Sequence, residues 1–210
     1  MSNHCSNKLI SRSTTSYLAT FASVLSQASA TDGMRTELDV DSAGERIVEM
    51  ILRARASGRK VLLVGNGGSA AIMSHLHNDL TKAVGVRAMV FNEPALLSAL
   101  ANDEGYERVF ERPVDLWADQ GDVLIAISSS GRSENILAAV RIAVTRGCSV
   151  VTLSGFSASN PLRRMGHINL YVPSDHYGMV EQGHSVLTHY FSDAAAAAGV
   201  ETLAKETLAS

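Results

Sequence analysis

The chain has 210 residues, enough for one large domain, and 46% of them are hydrophobic but only 5% aromatic, so its core has to be built from aliphatic side chains and alanine. A formal net charge of −3, with no run of Lys or Arg, excludes a basic nucleic-acid footprint. The apolar runs are far too short to span a bilayer, so no membrane partner is expected either.

Residues 1–14 read as a polar tail without the apolar core of a signal peptide, which makes a cytoplasmic location the expectation. Residues 16–28 form a predicted helix with Tyr17, Leu18, Phe21 and Leu25 at helical spacing. A polar break at 31–34 contains Gly33. A second helix covers 40–57, with Ile47, Val48, Ile51 and Leu52 on its apolar side, and Gly58 stops it. Residues 15–57 are thus read as N-terminal helices that serve assembly.

From 58 to 198 strands and helices alternate. Strands are predicted at 60–64, 86–91, 123–127, 149–153 and 168–172. Helices are predicted at 69–81, 94–118 (broken near Asp103-Glu104-Gly105), 133–146, 161–165 and 178–197, and 199–210 reads as a C-terminal tail. This alternation predicts an α/β fold, a three-layer, doubly wound, five-stranded parallel sheet. The unbroken aliphatic strands KVLLV and VLIAI agree, since such strands are covered on both faces. The two cysteines, Cys5 and Cys148, lack metal-ligand spacing and read as reduced thiols.

Ligands of open parallel sheets bind beyond the carboxyl ends of the strands, and two unusual loops follow strands here. Gly65-Asn66-Gly67-Gly68-Ser69 follows KVLLV. Its glycines allow close backbone approach, and Ser69 is placed to cap the next helix, whose N-terminus attracts anions. It is neither a Walker loop nor a GxGxxG turn. Ser128-Ser129-Ser130-Gly131-Arg132-Ser133 follows VLIAI, and its four hydroxyls at a helix start suit a phosphate group.

The two loops together with His75, the stretch ALANDEGYERVFERPV (99–114) and a last helix carrying Glu181 and His189 resemble the sugar isomerase (SIS) domain. Within it they are most similar to the phosphoheptose isomerases, which convert sedoheptulose 7-phosphate to glycero-manno-heptose 7-phosphate. The resemblance implies a flavodoxin-like sheet and a homotetramer with active sites between subunits. It implies phosphate binding by Ser128, Ser129, Ser130 and Ser133. Sugar contacts fall to Asn66, Gly67, Gly68 and Ser69, and Asn102 and Asp103 match a pair near the substrate hydroxyls. It further implies one Zn2+ per subunit at His75, Asp79, Glu181 and His189.

His75 and Asp79 are four residues apart and share a helix face. Two positions depart from the family, which usually has Glu at Asp79 and Gln at Glu181. Glu181 and His189 are separated by about 12 Å along a continuous helix, so one ion is not expected to take both from a single chain. Ketose–aldose isomerisation needs a base beside the carbonyl and an acid for its oxygens. The resemblance assigns these roles to His189 and Asp79, with Glu181 as the substitute candidate, and the reaction passes through an enediol. Two alternatives stay open: a non-catalytic SIS module that regulates, and an isomerase of another phosphorylated sugar.

Overall fold

The computed structural model describes residues 13–209, with side chains as far as residue 199; the expected tail up to residue 12, with Cys5, lies outside the described residues. In chain order, α1 (Thr14–Ser26) leads into a hairpin of β1 (Ser29–Asp32) and β2 (Glu37–Leu38), and then α2 (Val40–Ala56). The alternating part follows as β3 (Lys60–Gly65), α3 (Gly68–Asp79), β4 (Arg87–Val90), α4 (Pro94–Asp103), α5 (Glu111–Trp117), β5 (Val123–Ser128), α6 (Glu134–Thr145), β6 (Ser149–Ser154), β7 (Ile168–Tyr171) and α7 (Tyr177–Ala209).

All five predicted strands form, and all five are parallel to their neighbours, in the order β7-β6-β5-β3-β4. The sheet, however, has seven strands rather than five, because β1 adds antiparallel to β7 and carries β2 on its outer edge. The residues read as a polar break make this hairpin. Asp32 Oδ1 accepts the Met34 and Thr36 N–H groups at 2.8 and 2.9 Å, and Arg35 adopts a φ of 68°. A side-chain-to-backbone turn of this kind leaves no hydrophobic alternation to read.

Successive residues of the central strands serve opposite faces of the sheet. Val61, Leu63, Ile125 and Leu153 pack with Ile47 and Ile51 of α2, Met73 of α3 and Phe191 of α7. Leu62, Val64, Leu124 and Val150 pack with Val114 of α5 and Ile136 and Val140 of α6. The sheet is therefore covered on both sides, as the continuous aliphatic strands require. The last helix extends through Ala209, across the stretch read as a C-terminal tail. None of the residues of helix α1 is fully buried, and Leu18 is 59% exposed.

Candidate active site

Strand β3 connects outward to β4, while β5 lies on its other side, so helices α3 and α6 leave adjacent strands towards opposite faces. The register places Gly65 opposite Ile127, which brings the glycine loop and the serine turn to the same end of the sheet. A crevice opens at such a point in doubly wound folds. Here it is a cleft of about 240 Å³, lined by Asn66 to Ser69, Ile127 to Ser130, Ser133, Tyr177 and Glu181.

Both helices that open onto this cleft begin without a side-chain cap. Ser69 does not cap α3: Gly67 holds the cap position with a φ of 52°, and Ser69 lies inside the first turn, buried. Ser133 stands at the cap of α6 but its hydroxyl accepts from Ser128 Oγ at 3.1 Å instead. Two sets of helix-terminal N–H groups and two positive dipole ends thus converge on one cleft, which favours an anion.

The four serine hydroxyls are not equivalent. Ser128 is paired with Ser133, and Ser130 Oγ accepts the Arg132 N–H at 3.2 Å. Ser129 is 5% exposed, and its Oγ is buried with no partner among the described residues. An orphaned buried hydroxyl is a cost to the fold that a ligand can repay. The turn itself is fixed from beneath. Gly131 has a φ of 62°, a Cβ there would collide with Asn160, and its carbonyl accepts the Leu162 N–H at 3.1 Å.

Asn66 is locked by two residues that the sequence reading did not single out. Asn66 and Asn135 exchange amide hydrogen bonds, both at 2.9 Å, and the Tyr106 hydroxyl donates to Asn66 Oδ1 at 3.0 Å. Asn135 lies just past the serine turn and Tyr106 lies in the ANDEGYER stretch, so the signal was adjacent to motifs already noticed. Asn102 and Asp103 are exposed at the end of α4, bonded to each other at 2.7 Å, and they do not line the cleft.

A second group forms where α3 meets α7. Asp79 Oδ2 lies 3.4 Å from His75 Nε2 and 3.5 Å from His189 Nδ1, with the two rings 4.8 Å apart and edge to face. The three side chains offer ligand atoms within 4.8 Å of one another. Two imidazoles and a carboxylate with a fourth direction open are a donor set suited to a catalytic zinc ion. Glu181 is not in this group. Its carboxylate lies against Gly68 at the start of α3, inside the cleft. Helix α7 is continuous, so the separation of Glu181 from His189 expected from helical rise is realised.

Two buried titratable groups, His184 and Cys148, lie outside both clusters. His184 is fully buried, its Nε2 3.1 Å from the Ser154 carbonyl, and burial pushes its pKa down to about 4. Burial likewise pushes the Cys148 thiol up to about 11, in keeping with an inert reduced thiol. A larger groove of about 460 Å³ lies near the amino ends of β5 and β6. Its charged residues are already in ion pairs, Arg112 with Glu104 and Arg146 with Asp115.

Comparison with known proteins agrees with this geometry. The SIS domain family matches residues 16–155, a span that includes both loops, His75 and Asp79. The phosphoheptose isomerase of Burkholderia pseudomallei (strain 1710b) is 36% identical over 151 residues, covering 69% of this chain and 76% of its own. This chain belongs to the phosphoheptose isomerase family. The enzyme of Bradyrhizobium sp. (strain BTAi1) is 39% identical over 171 residues, 77% of this chain and 84% of that protein. The solved phosphoheptose isomerase of Neisseria gonorrhoeae superposes with a TM-score of 0.75 at 26% identity, covering 86% of this chain and 96% of that one.

Proposed function

We propose that this protein isomerises sedoheptulose 7-phosphate to D-glycero-D-manno-heptose 7-phosphate through an enediol. The observation that carries the reading is the cleft at the β3–β5 crevice, where two uncapped helix starts and the unpartnered Ser129 hydroxyl face one point in a member of the phosphoheptose isomerases. Ser128, Ser129, Ser130 and Ser133 hold the phosphate. Asn66, Gly67, Gly68 and Ser69 hold the sugar, with Asn66 kept in place by Asn135 and Tyr106. Binding energy at this remote phosphate positions the reacting carbons.

At the reacting end, one base removes the proton from the carbon beside the carbonyl and delivers it to the former carbonyl carbon, while an acid protonates the carbonyl oxygen and takes up the proton of the adjacent hydroxyl. His189 and Asp79 carry these protons, and Glu181, already in the cleft, is the second carboxylate available as base. His75, Asp79 and His189 would hold one zinc ion, which when bound polarises the carbonyl and steadies negative charge on the enediol oxygens. Asn102 and Asp103 contribute to the substrate hydroxyls once the sugar is bound.

Glu181, which lines the phosphate cleft, and His189 of the His75–Asp79–His189 group are about 12 Å apart along α7, which supports an active site completed by a second copy of the chain. Helix α1 supports the same assembly, a homotetramer. A helix of 13 residues is marginal in water by itself, and its apolar residues Tyr17, Phe21, Val24 and Leu25 are only half-buried by their own chain. No described helix is long and apolar enough to cross a membrane. We assign the enzyme to the cytoplasm, where charged sugar phosphates are retained.

The test is turnover of sedoheptulose 7-phosphate by the wild-type chain and by His189→Ala. The variant should lose isomerisation while sugar-phosphate affinity stays within about threefold, roughly 0.7 kcal/mol. Full activity in the variant removes His189 from the reaction. Saturable binding without turnover by the wild type refutes the enzyme and leaves a regulator.

A further inference from the structure

The β1–β2 hairpin and the 3₁₀ turn Pro161–Arg164 enclose a cleft of about 220 Å³ at the far edge of the sheet. Its walls carry Arg35, Arg163 and Arg164, with Thr31, Ala158 and Glu37. Three guanidinium groups face a single carboxylate, a local excess of positive charge on a chain whose net charge is −3. The side chains of Arg35 and Arg164 make no ion pair or hydrogen bond among the described residues. Unpaired arginines gathered in a concave site, rather than spread over a surface, point to an anionic ligand.

A second observation is independent of the arginines. Thr31 lines the same cleft, is 7% exposed, and keeps its Oγ1 buried with no hydrogen-bond partner among the described residues. Its neighbour Ala30 points into the core on the opposite face of the sheet, so Ser29 and Thr31 share the face turned to the 3₁₀ turn. Ser29 uses that position to accept from Arg163 Nη2 at 3.0 Å. Thr31 has the equivalent position and nothing to bond. A buried hydroxyl without a partner beside unpaired cations suits an anion that accepts its hydrogen bond.

The cleft is also rigid. Arg163 lies over the Tyr171 ring, 4.4 Å from its centroid, and is held by Ser29. Asn160 Oδ1 accepts the Arg163 N–H at 3.0 Å, and its amide nitrogen donates to the carbonyls of Gly155 and Ser157. Arg35 is presented by the turn that Asp32 organises. Arg163, fixed in advance, meets an anion without the cost of ordering its long side chain.

We propose that this cleft is a second phosphoryl-binding site, separate from the serine turn. It takes inorganic phosphate or the terminal phosphate of a small ester, with Arg35 and Arg164 as the principal charges, Arg163 as the fixed wall and Thr31 as a hydrogen-bond donor. No aromatic side chain among the described residues lines the cleft to stack a base, so the occupant is a small anion rather than a nucleotide.

Equilibrium dialysis of the full chain against radiolabelled inorganic phosphate tests this without using turnover, so it stands apart from the isomerase assay. The wild type should bind two phosphates per chain and the double variant Arg35→Gln/Arg164→Gln one, with sedoheptulose 7-phosphate still displacing the remaining label. Both arginines are exposed, so the variant should keep its melting temperature within about 2 °C. Thr31→Val, which keeps both charges, should weaken the second site by about tenfold, the loss of one hydrogen bond to a charged group. Glycerol 3-phosphate as competitor separates the two sources: displacement of the second phosphate identifies an ester site, and no displacement a site for the free ion. A wild-type stoichiometry of one, or two unchanged in the double variant, overturns the proposal.

Discussion

Replacing Ser129 by Ala should change stability and affinity in opposite directions. In the free chain the Ser129 Oγ is buried and has no partner among the described residues. Such a group costs about 1–3 kcal/mol of desolvation, and the alanine side chain lacks it while keeping the same Cβ. The variant should gain about 1 kcal/mol, which for a chain of this size raises the melting temperature by about 2–4 °C. With a phosphosugar bound, the same hydroxyl hydrogen-bonds a charged group worth about 1.5–3 kcal/mol, so the variant should bind about ten- to hundredfold more weakly. Thermal denaturation with and without saturating sedoheptulose 7-phosphate reads both effects, because ligand adds stability in proportion to its affinity. The variant should start higher and gain less. A variant that melts earlier without ligand and binds with unchanged affinity would refute the assignment of Ser129 to the phosphate.

Three further outcomes follow from the geometry. Chelation should remove activity and added Zn2+ should restore it, while Asp79→Asn, which loses the charge between two imidazoles, should lower zinc retention on dialysis by about ten- to hundredfold. His184 has a folded pKa of about 4 against 6.5 unfolded, so the unfolded chain binds the extra proton between these values. Its contribution, on the order of 3 kcal/mol, is full above pH 6.5 and is lost as the pH falls towards 4. Urea denaturation at pH 7.5 and pH 5 should therefore show a smaller drop in His184→Gln than in the wild type. Gly131→Ala should destabilise by more than about 2 kcal/mol, from a left-handed backbone plus the collision with Asn160, and should abolish phosphosugar binding measured by calorimetry.

Much of the fold was legible because its strands are unbroken aliphatic runs: Val61 to Val64 and Val123 to Ile127 admit little else than doubly covered strands. The hairpin was not legible, since four residues of SATD and two of EL carry no alternation and owe their pairing to the edge of β7 and to the Asp32 turn. In the candidate site, the serine turn and glycine loop were visible as composition after strands. Their convergence depends on strand order, which no local pattern records. The division between Glu181 and His189 did follow from the sequence, because helical rise is fixed. Ser69 was misread as a cap because serine favours that position; the left-handed Gly67 takes it instead.

Helix α1 carries a consequence for how this protein behaves when diluted. None of its thirteen residues is fully buried, and Tyr17, Phe21, Val24 and Leu25 are half-buried on their own chain, so in the proposed assembly the rest of its cover comes from another copy. The free energy of that contact is then shared between folding and assembly and scales with the logarithm of protein concentration. A melting temperature or specific activity measured at one concentration would not carry over to another, and a dilution series would expose the interface before any atom of it was seen.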